Sequence, residues 1–304
     1  MYASVRNKTN DINGKKVYQY YNHVEIVSIK FKQLKPYYAV YKNWPYVLYN
    51  IYKKKETIRI KLRSGEIKYL NLNDIFDYTF KNYFRLSNGY IKFKNLRFKV
   101  NDGNAHLYNG DIGAVFIKED YKWLRPKNCI AIDMGANIGD SSIYFALNGA
   151  KKVIALEPYP YSYRLAKENI LNNGYKDKIV LLNAGYGPDG SMNVEDKITD
   201  TGNELTQADH GMRIKIFSLK TLLNDYKIDD AILKMDCEGC EYNLLNENND
   251  TLRKFNRIQI EYHYGYEKLK NKLESAGFHV KYTDPVIGAN NKNMHMGYLY
   301  AIKH

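Results

Sequence analysis

The pattern of apolar and polar positions changes character along the chain. From position 129 onwards, short apolar runs of strand length alternate with amphipathic stretches of helical length. This alternation predicts a parallel sheet covered by helices. The predicted strands are 129–133, 152–157, 179–183, 231–236, 257–261, 277–282 and 297–303. The predicted helices are 138–148, 161–172, 219–226, 241–247 and 266–276.

The last two predicted strands have no helix between them, so we expect them to form an antiparallel hairpin at one edge of the sheet. The result is a seven-stranded α/β sheet of the Rossmann-like kind, in which ligands lie across the carboxyl ends of the strands. The polar segment 189–213 predicts either a loop that covers a substrate or a hairpin with a mobile tip.

Residues 1–120 predict a smaller, mixed α/β region that is rich in strands. Its predicted elements are a strand-like stretch at 16–31, a helix at 44–52, a hairpin of 57–63 with 66–70, a helix at 72–86 and two short strands within 90–100. Regular alternation begins only after 117–123, so we divide the chain into an N-terminal region, 1–120, and a main domain, 121–304.

The first predicted strand of the main domain ends in an acid that is followed by a glycine-rich turn. Asp133 is followed by Gly135, Asn137 and Gly139, and the next strand ends at Glu157. The two glycines let the chain turn sharply and let the helix start close to the sheet. The Glu157 carboxylate can accept hydrogen bonds from both hydroxyls of a ribose. The pattern therefore predicts a nucleoside-binding half-unit.

The acid at the turn decides between two classes of nucleoside. A dinucleotide would place its diphosphate here, where Asp133 would repel it, whereas the ammonium and sulfonium of S-adenosylmethionine are attracted by a carboxylate. Asn137 stands where dinucleotide-binding loops have their middle glycine. We therefore predict S-adenosylmethionine as cofactor, with a dehydrogenase as the weakest alternative. Asn183, at the end of the third strand, is predicted to contact the adenine.

Further acids follow the fourth and fifth strands. Asp236, Glu238 and Glu241 follow one strand, and Glu261 and His263 alternate at the end of the next. Carboxylates at this edge stabilise a positive sulfur, and an acid or a nearby histidine accepts a proton from a hydroxyl. We predict Asp236, His263 and Glu238 as catalytic residues, with Asp236 and His263 as candidates for the base or for orienting the substrate. Acids at a helix start also complement its dipole, which is a purely structural alternative.

The three cysteines do not form a disulfide framework. Cys237 and Cys240 form a C-x-x-C, but no second pair completes a zinc site. We expect the two side chains to pack against the sheet and predict no metal site.

Charge is distributed unevenly along the chain. The net charge is +13, of which residues 1–120 carry +12, from 22 Lys and Arg against 10 Asp and Glu. This asymmetry predicts an anionic partner, namely RNA, a lipid surface or a phosphorylated substrate, although a solvated basic surface is the alternative. No apolar run reaches the roughly 20 residues of a membrane span, and no secretory signal is visible, so we expect a cytoplasmic protein.

Four sequence blocks together resemble the FkbM family of S-adenosylmethionine-dependent methyltransferases. The blocks are DMGANIGDSSIYFA from Asp133, ALEPYP from Ala155, LKMDCEGCE from Leu233 and IEYH from Ile260. The resemblance covers about 129–282. It implies a class I methyltransferase fold and transfer of a methyl group to a hydroxyl oxygen of a sugar, a glycolipid or a similar small molecule. It also supports packing rather than metal binding for the two cysteines, which stand where the family has small or aliphatic residues.

Two other functions remain open. The basic N-terminal region favours an RNA methyltransferase, although it contains no recognised RNA-binding motif. A non-catalytic interaction module that keeps the nucleoside pocket is the third possibility, which the intact acids at three strand ends disfavour.

Overall fold

The computed structural model describes residues 9–10, 16–17, 31–84, 86–100, 105–196, 204–287 and 294–303. The chain divides into two compact units, one of residues 21–120 and one that joins residues 1–20 to residues 121–304. Most of the strand-like stretch predicted at 16–31 lies outside the described residues. The two strands described before residue 31 are β1 Thr9–Asn10 and β2 Lys16–Val17, which pair antiparallel.

The larger unit contains a sheet whose main path has seven strands. The strands are β8 Ile130–Met134, β9 Lys152–Leu156, β10 Ile179–Leu182, β14 Ala231–Met235, β15 Phe255–Tyr262, β16 Phe278–Tyr282 and β18 His295–Lys303. Their order is β10-β9-β8-β14-β15-β18-β16, and a short strand, β17 Val286–Ile287, pairs with β18. The first five strands in this order are parallel, and β18 is antiparallel to both of its neighbours. This is the Rossmann-like class I architecture that the sequence predicts.

The last two predicted strands pair antiparallel at one edge of the sheet, as expected. The reversed strand β18 lies between β15 and β16, and β16 is the edge strand. Residues Leu299 and Ala301 of β18 are fully buried. A long apolar strand gains most from a position where both of its sides are paired, and the shorter, partly exposed β16 takes the edge.

The central strands are apolar on both faces because helices cover both sides of the sheet. All five residues of β14 are buried, as are four of the five in β8. The helices of this unit are α5 Asp140–Leu147, α6 Pro160–Asn172, α7 Leu219–Asp225, α8 Asn249–Leu252 and α9 Glu267–Ser275. A 3-10 helix, Cys240–Asn246, takes the place of the helix predicted at 241–247, and another covers Asp120–Leu124.

A smaller sheet follows β10. Its strands are β11 Ala184–Tyr186, β12 Gly190–Val194 and β13 Met212–Phe217, in the order β11-β13-β12. Strands β12 and β13 are antiparallel, so the segment 189–213 forms the hairpin that was one of its two predicted forms. Residues 197–203, towards the tip of this hairpin, lie outside the described part.

The unit of residues 21–120 has its own apolar core. Its helices are α1 Phe31–Val40, α2 Trp44–Tyr52, α3 Leu72–Tyr83 and α4 Ala105–Gly113, the last continuing into a π-helical turn, Ala114–Lys118. Its strands are β3 Thr57–Lys61, β4 Ile67–Asn71, β5 Leu86–Ser87, β6 Tyr90–Phe93 and β7 Leu96–Lys99. The predicted hairpin is present as β3 and β4, and the predicted short strands as β6 and β7.

Asn43 precedes α2, and its side chain forms hydrogen bonds with strand β3 of the hairpin. It donates to the carbonyl of Arg59 and accepts from the amide of Lys61. The helix start is thereby fixed to β3. Throughout the described ranges, we find no helix with the length and apolar character needed to cross a membrane.

Candidate functional site

The glycine turn after β8 lies against the loop after β14. Gly135 has a φ of +79°, and a Cβ on it would lie 1.9 Å from the carbonyl oxygen of Asp236. An L-residue is therefore excluded both by the backbone conformation and by the close approach of the two loops. The turn predicted to hold the nucleoside and the loop of the catalytic candidate Asp236 are thus in direct contact.

Gly139 brings the helix that follows the turn close to its neighbour. Its φ is +84°, and a Cβ there would lie 3.3 Å from both Cα and Cβ of Ala166 in α6. The buried Asn169, on the same helix, donates to the carbonyl of Ile138 at 2.9 Å. Close packing of α6 is therefore the physical reason for a glycine at this position.

Glu157 joins the second strand end to the glycine turn. One carboxylate oxygen accepts from the backbone N–H of Asn137 at 2.8 Å, and the other accepts from that of Tyr159 at 3.0 Å. Asn137 adopts a left-handed φ of +46°, which turns its N–H toward this acid. Burial raises the pKa of Glu157 to about 7. Each oxygen keeps lone-pair capacity for a further donor, such as a ribose hydroxyl.

Asp133 does not face a ligand, contrary to the prediction. Its side chain is fully buried, and Oδ2 accepts from the hydroxyls of Ser141 and Ser142 at 2.7 and 2.6 Å. Its other oxygen lies 3.1 Å from Nζ of Lys234. Because these groups enclose the carboxylate, Asp133 anchors the start of α5 to the sheet instead of contacting an ammonium or sulfonium directly.

Lys234 is a central residue of the site that the sequence analysis missed. It is 2% exposed, and its Nζ donates to the carbonyl of Gly135 at 2.7 Å and lies 3.8 Å from Oδ2 of Asp236. Burial acts to lower the pKa of Lys234, but Asp133 and Asp236 outweigh it and raise the pKa above its ordinary value. A lysine inside an otherwise apolar strand was the available signal, since an unpaired charge is not buried there.

Asn183 is also engaged within the protein. Its side-chain amide donates to the carbonyls of Glu157 and Pro158 at 2.9 and 3.0 Å. These bonds use only the NH₂ group, so the side-chain oxygen can still accept from an adenine amino group, and the predicted contact stays a prediction. The two bonds hold the segment that follows β9, and thereby Glu157.

Asp236 is a catalytic candidate with a partly exposed carboxylate. Its side chain is 28% exposed, and Oδ2 accepts from the hydroxyl of Tyr121 at 3.2 Å. The Tyr121 ring lies 5.5 Å from Nζ of Lys234. Tyr121 precedes the first strand of the sheet and showed no pattern that marked it as a site residue.

His263 lies between two carboxylates. Its Nδ1 is 2.9 Å from Oε1 of Glu241, and its Nε2 is 3.0 Å from Oε2 of Glu238. Burial acts to lower the pKa of His263, but the contacts with Glu238 and Glu241 raise it to about 11. The ring is therefore protonated at neutral pH in this arrangement. Of the two predicted roles, this arrangement disfavours the general base and is compatible with orienting the substrate.

Glu261 joins the same acidic group. Burial, and after it the charge of Asp236, raises the pKa of Glu261 to about 8. His263 lies near Glu261, and its charge acts to lower the pKa of Glu261. The edge of the sheet thus concentrates carboxylates around one imidazole and one ammonium.

Cys237 and Cys240 are joined by a disulfide, which the sequence analysis did not predict, and Cys240 packs against the core as expected. The bridge closes the loop after β14. Within it, Glu238 and Gly239 both have positive φ, +54° and +104°. The amide of Gly239 donates to Glu241 at 2.8 Å. The disulfide and this hydrogen bond together hold Glu238 at the site.

A family model matches a large part of the main domain. Residues 133–280 match the model described as "Methyltransferase FkbM domain". The matched range begins at Asp133 and includes Glu157, Asp236 and His263. The resemblance predicted from the four sequence blocks is confirmed.

Among curated proteins, the chain is similar to a tRNA(Phe) (4-demethylwyosine(37)-C(7)) aminocarboxypropyltransferase of Pyrococcus horikoshii. The two are 31% identical over 145 residues, which are 48% of this chain and 47% of the relative. The chain thus matches about half the length of this relative.

Several solved structures are similar to this chain at low identity and low TM-score. M. jannaschii TYW2 in complex with AdoMet has a TM-score of 0.38 and 18% identity, over 70% of this chain and 84% of its own. The M. jannaschii tRNA m1G37 methyltransferase has a TM-score of 0.40 and 15% identity, over 82% and 61%. An rRNA methylase from Streptococcus thermophilus has a TM-score of 0.38 and 14% identity, over 61% and 94%. Likenesses in this range carry no information about the acceptor.

Proposed function

Because residues 133–280 belong to the FkbM family of methyltransferases, we propose that this protein transfers the methyl group of S-adenosylmethionine to a hydroxyl oxygen. The acceptor is a small molecule such as a glycan or a glycolipid. The observation that carries the proposal is the contact between the Gly135 turn and the Asp236 carbonyl, because it joins a nucleoside-binding turn to an accessible carboxylate. A donor on the turn and an acceptor at Asp236 would be neighbours.

The residues at the turn fit S-adenosylmethionine, which is the cofactor of this family. The cofactor supplies a methyl group activated by a positive sulfur. Gly135 allows the turn to approach the Asp236 carbonyl closely, and both oxygens of Glu157 have capacity for ribose hydroxyls. Asn137 and Tyr159 hold that carboxylate in place through their backbone amides. Asp133 and Lys234 are buried behind the turn, and their contacts hold the turn in place.

Asp236 is the proposed proton acceptor. In the reaction, the hydroxyl oxygen attacks the methyl carbon, the carbon–sulfur bond breaks, and the hydroxyl proton passes to a carboxylate. Asp236 is accessible and is oriented by Tyr121. Glu238 is 22% exposed and lies beside it, held by His263, and it contributes acceptor binding. His263 and Glu241 are positioning residues in this proposal.

The test is donor turnover over a panel of hydroxyl acceptors, followed as formation of S-adenosylhomocysteine. We expect transfer to at least one hydroxyl compound, and a fall in kcat of about 10²-fold or more in Asp236→Asn, since general-base catalysis contributes this much. Asp229→Asn is the matched control, because Asp229 is 87% exposed and forms a surface ion pair with Lys254. Tight donor binding without transfer to any acceptor would instead favour an interaction module.

RNA is the second candidate acceptor. Two observations favour it: residues 1–120 carry a net charge of +12 (22 − 10), and the P. horikoshii relative is named for its action on tRNA. An RNA substrate predicts binding that weakens steeply with salt, because displaced counterions drive the association. Donor turnover that is stimulated by tRNA at low salt and lost at high salt would move this candidate ahead of the small hydroxyl compounds.

A further inference from the structure

We infer that Asp236, Glu238 and His263 form a binding site for a divalent metal ion. One ligand atom from each residue lies within 4.8 Å of the other two. The three side chains come from the ends of two adjacent parallel strands, β14 and β15, so the sheet itself brings them together. This departs from the sequence analysis, which considered only the cysteines as metal ligands.

The imidazole is oriented as a metal ligand is. Oε1 of Glu241 lies 2.9 Å from Nδ1 of His263 and also accepts from the backbone N–H of His263 at 3.0 Å. Glu241 is fully buried, and its other oxygen accepts from Gly239. A carboxylate that holds Nδ1 fixes the ring and directs Nε2 to the ion, as in the carboxylate–histidine–metal arrangement of known sites.

Nε2 of His263 is a buried polar atom without a hydrogen bond. His263 is 1% exposed, and within the described ranges Nε2 has no hydrogen-bond partner. Oε2 of Glu238, 3.0 Å away, pairs with the ring when Nε2 carries a proton, and a bound cation takes the place of that proton. A cation placed between this nitrogen and the two carboxylates satisfies all three groups at once.

The donor set and its access select the kind of ion. Two carboxylates favour hard ions such as Mg²⁺ and Mn²⁺, and an imidazole favours transition metals, so Mn²⁺ satisfies both preferences. Asp236 and Glu238 are 28% and 22% exposed, which leaves coordination positions open toward solvent. When the ion binds, Nε2 releases its proton to solvent. If the proposed function holds, an acceptor hydroxyl takes an open position and loses its proton more readily to the Asp236 oxygen that does not bind the ion.

The test is a titration of the full-length, disulfide-bonded protein with Mn²⁺, followed by electron paramagnetic resonance without donor or acceptor. We expect one Mn²⁺ per chain, bound at least about tenfold more weakly in Glu238→Gln and in Asp236→Asn. These two side chains are partly exposed, so their amides are compatible with folding, and circular dichroism verifies this. Asp229→Asn is the control and keeps wild-type affinity.

A second variant tests whether the neighbouring sulfur atoms, and not the three proposed ligands, bind the ion. Cys237→Ser with Cys240→Ser keeps Mn²⁺ binding if the carboxylates and His263 are the ligands. The inference is overturned if wild type binds no Mn²⁺ saturably, if Glu238→Gln and Asp236→Asn both bind as wild type does, or if only the cysteine variant loses binding.

Different results would refute the metal site and the proposed function. Mn²⁺ binding that depends on Glu238 without any methyl transfer would refute the function and keep the site. Methyl transfer to a hydroxyl in protein that binds no Mn²⁺ would keep the function and refute the site.

Discussion

Oε2 of Glu157 accepts a 2.8 Å hydrogen bond from the backbone N–H of Asn137, across the gap between two strand ends. One buried acid thus fixes the shape of the glycine turn and offers oxygens to a ribose. The same contact explains why Asn137 adopts a left-handed conformation, with a φ of +46°.

Replacing Glu157 with glutamine is expected to weaken donor binding. The amide has only one acceptor oxygen, so its NH₂ group must face either the N–H of Asn137 or that of Tyr159. Loss of a hydrogen bond to a charged group costs about 1.5–3 kcal/mol, or roughly 10- to 150-fold in Kd. Calorimetric titration with S-adenosylmethionine measures this. Glu274→Gln, in a partly exposed pair with Lys270, is the control and should bind normally.

Donor affinity is expected to rise with pH through neutrality. The pKa of Glu157 in the free protein is raised from 4.5 to about 7 by burial, so below this pH the acid is mostly protonated and has lost one acceptor position. Donor binding to the carboxylate therefore strengthens as the pH rises from 6 to 8, in addition to any change that comes from titration of the donor itself. In Glu157→Gln this rise should be absent, and an equal rise in the variant would contradict the assignment.

Gly135→Ala is expected to abolish donor binding and to destabilise the fold. The added Cβ would meet the Asp236 carbonyl at 1.9 Å. Gly174→Ala is a close control, since Gly174 has a φ of +76° against +79° for Gly135 and no described atom within 4 Å of the added Cβ. The control should carry only the backbone cost of about 1 kcal/mol. Thermal unfolding and donor titration of both variants separate the steric effect from the backbone effect.

Lys234→Met is expected to destabilise the main domain strongly. The change removes the 3.1 Å partner of Asp133 and leaves a fully buried carboxylate with only its two serine donors. Breaking a buried pair in this way costs about 3–5 kcal/mol. Lys254→Met breaks the exposed pair with Asp229 and should cost less than about 1 kcal/mol. Equal free energies of unfolding for the two variants would contradict the buried-pair assignment.

The sequence predicted those features that depend on local backbone geometry. Gly135 and Gly139 were identified because a strand, a tight turn and a helix need residues of this kind. The proximity of Glu157 to the turn follows from parallel strand order. The antiparallel pairing of β16 and β18 was visible because no helix separates them.

The roles of Asp133 and His263 depend on partners that are distant in the chain. Asp133 has the position of a ligand-binding acid, but Lys234, a hundred and one residues later (234 − 133), pairs with it. In the sequence, His263 resembles a general base. In the structure, both of its ring nitrogens face carboxylates. The place of β18 inside the sheet depends on pairing energies that no local pattern encodes.

The most direct test of the account is transfer from S-adenosylmethionine labelled with ¹³C in its methyl group, with the product examined by NMR. The account predicts an O-methyl carbon on a hydroxyl acceptor, with a rate that falls about 10²-fold or more in Asp236→Asn and is unchanged in Asp229→Asn. A label that appears only on nitrogen or carbon, or transfer that is equally fast without the Asp236 carboxylate, would contradict it.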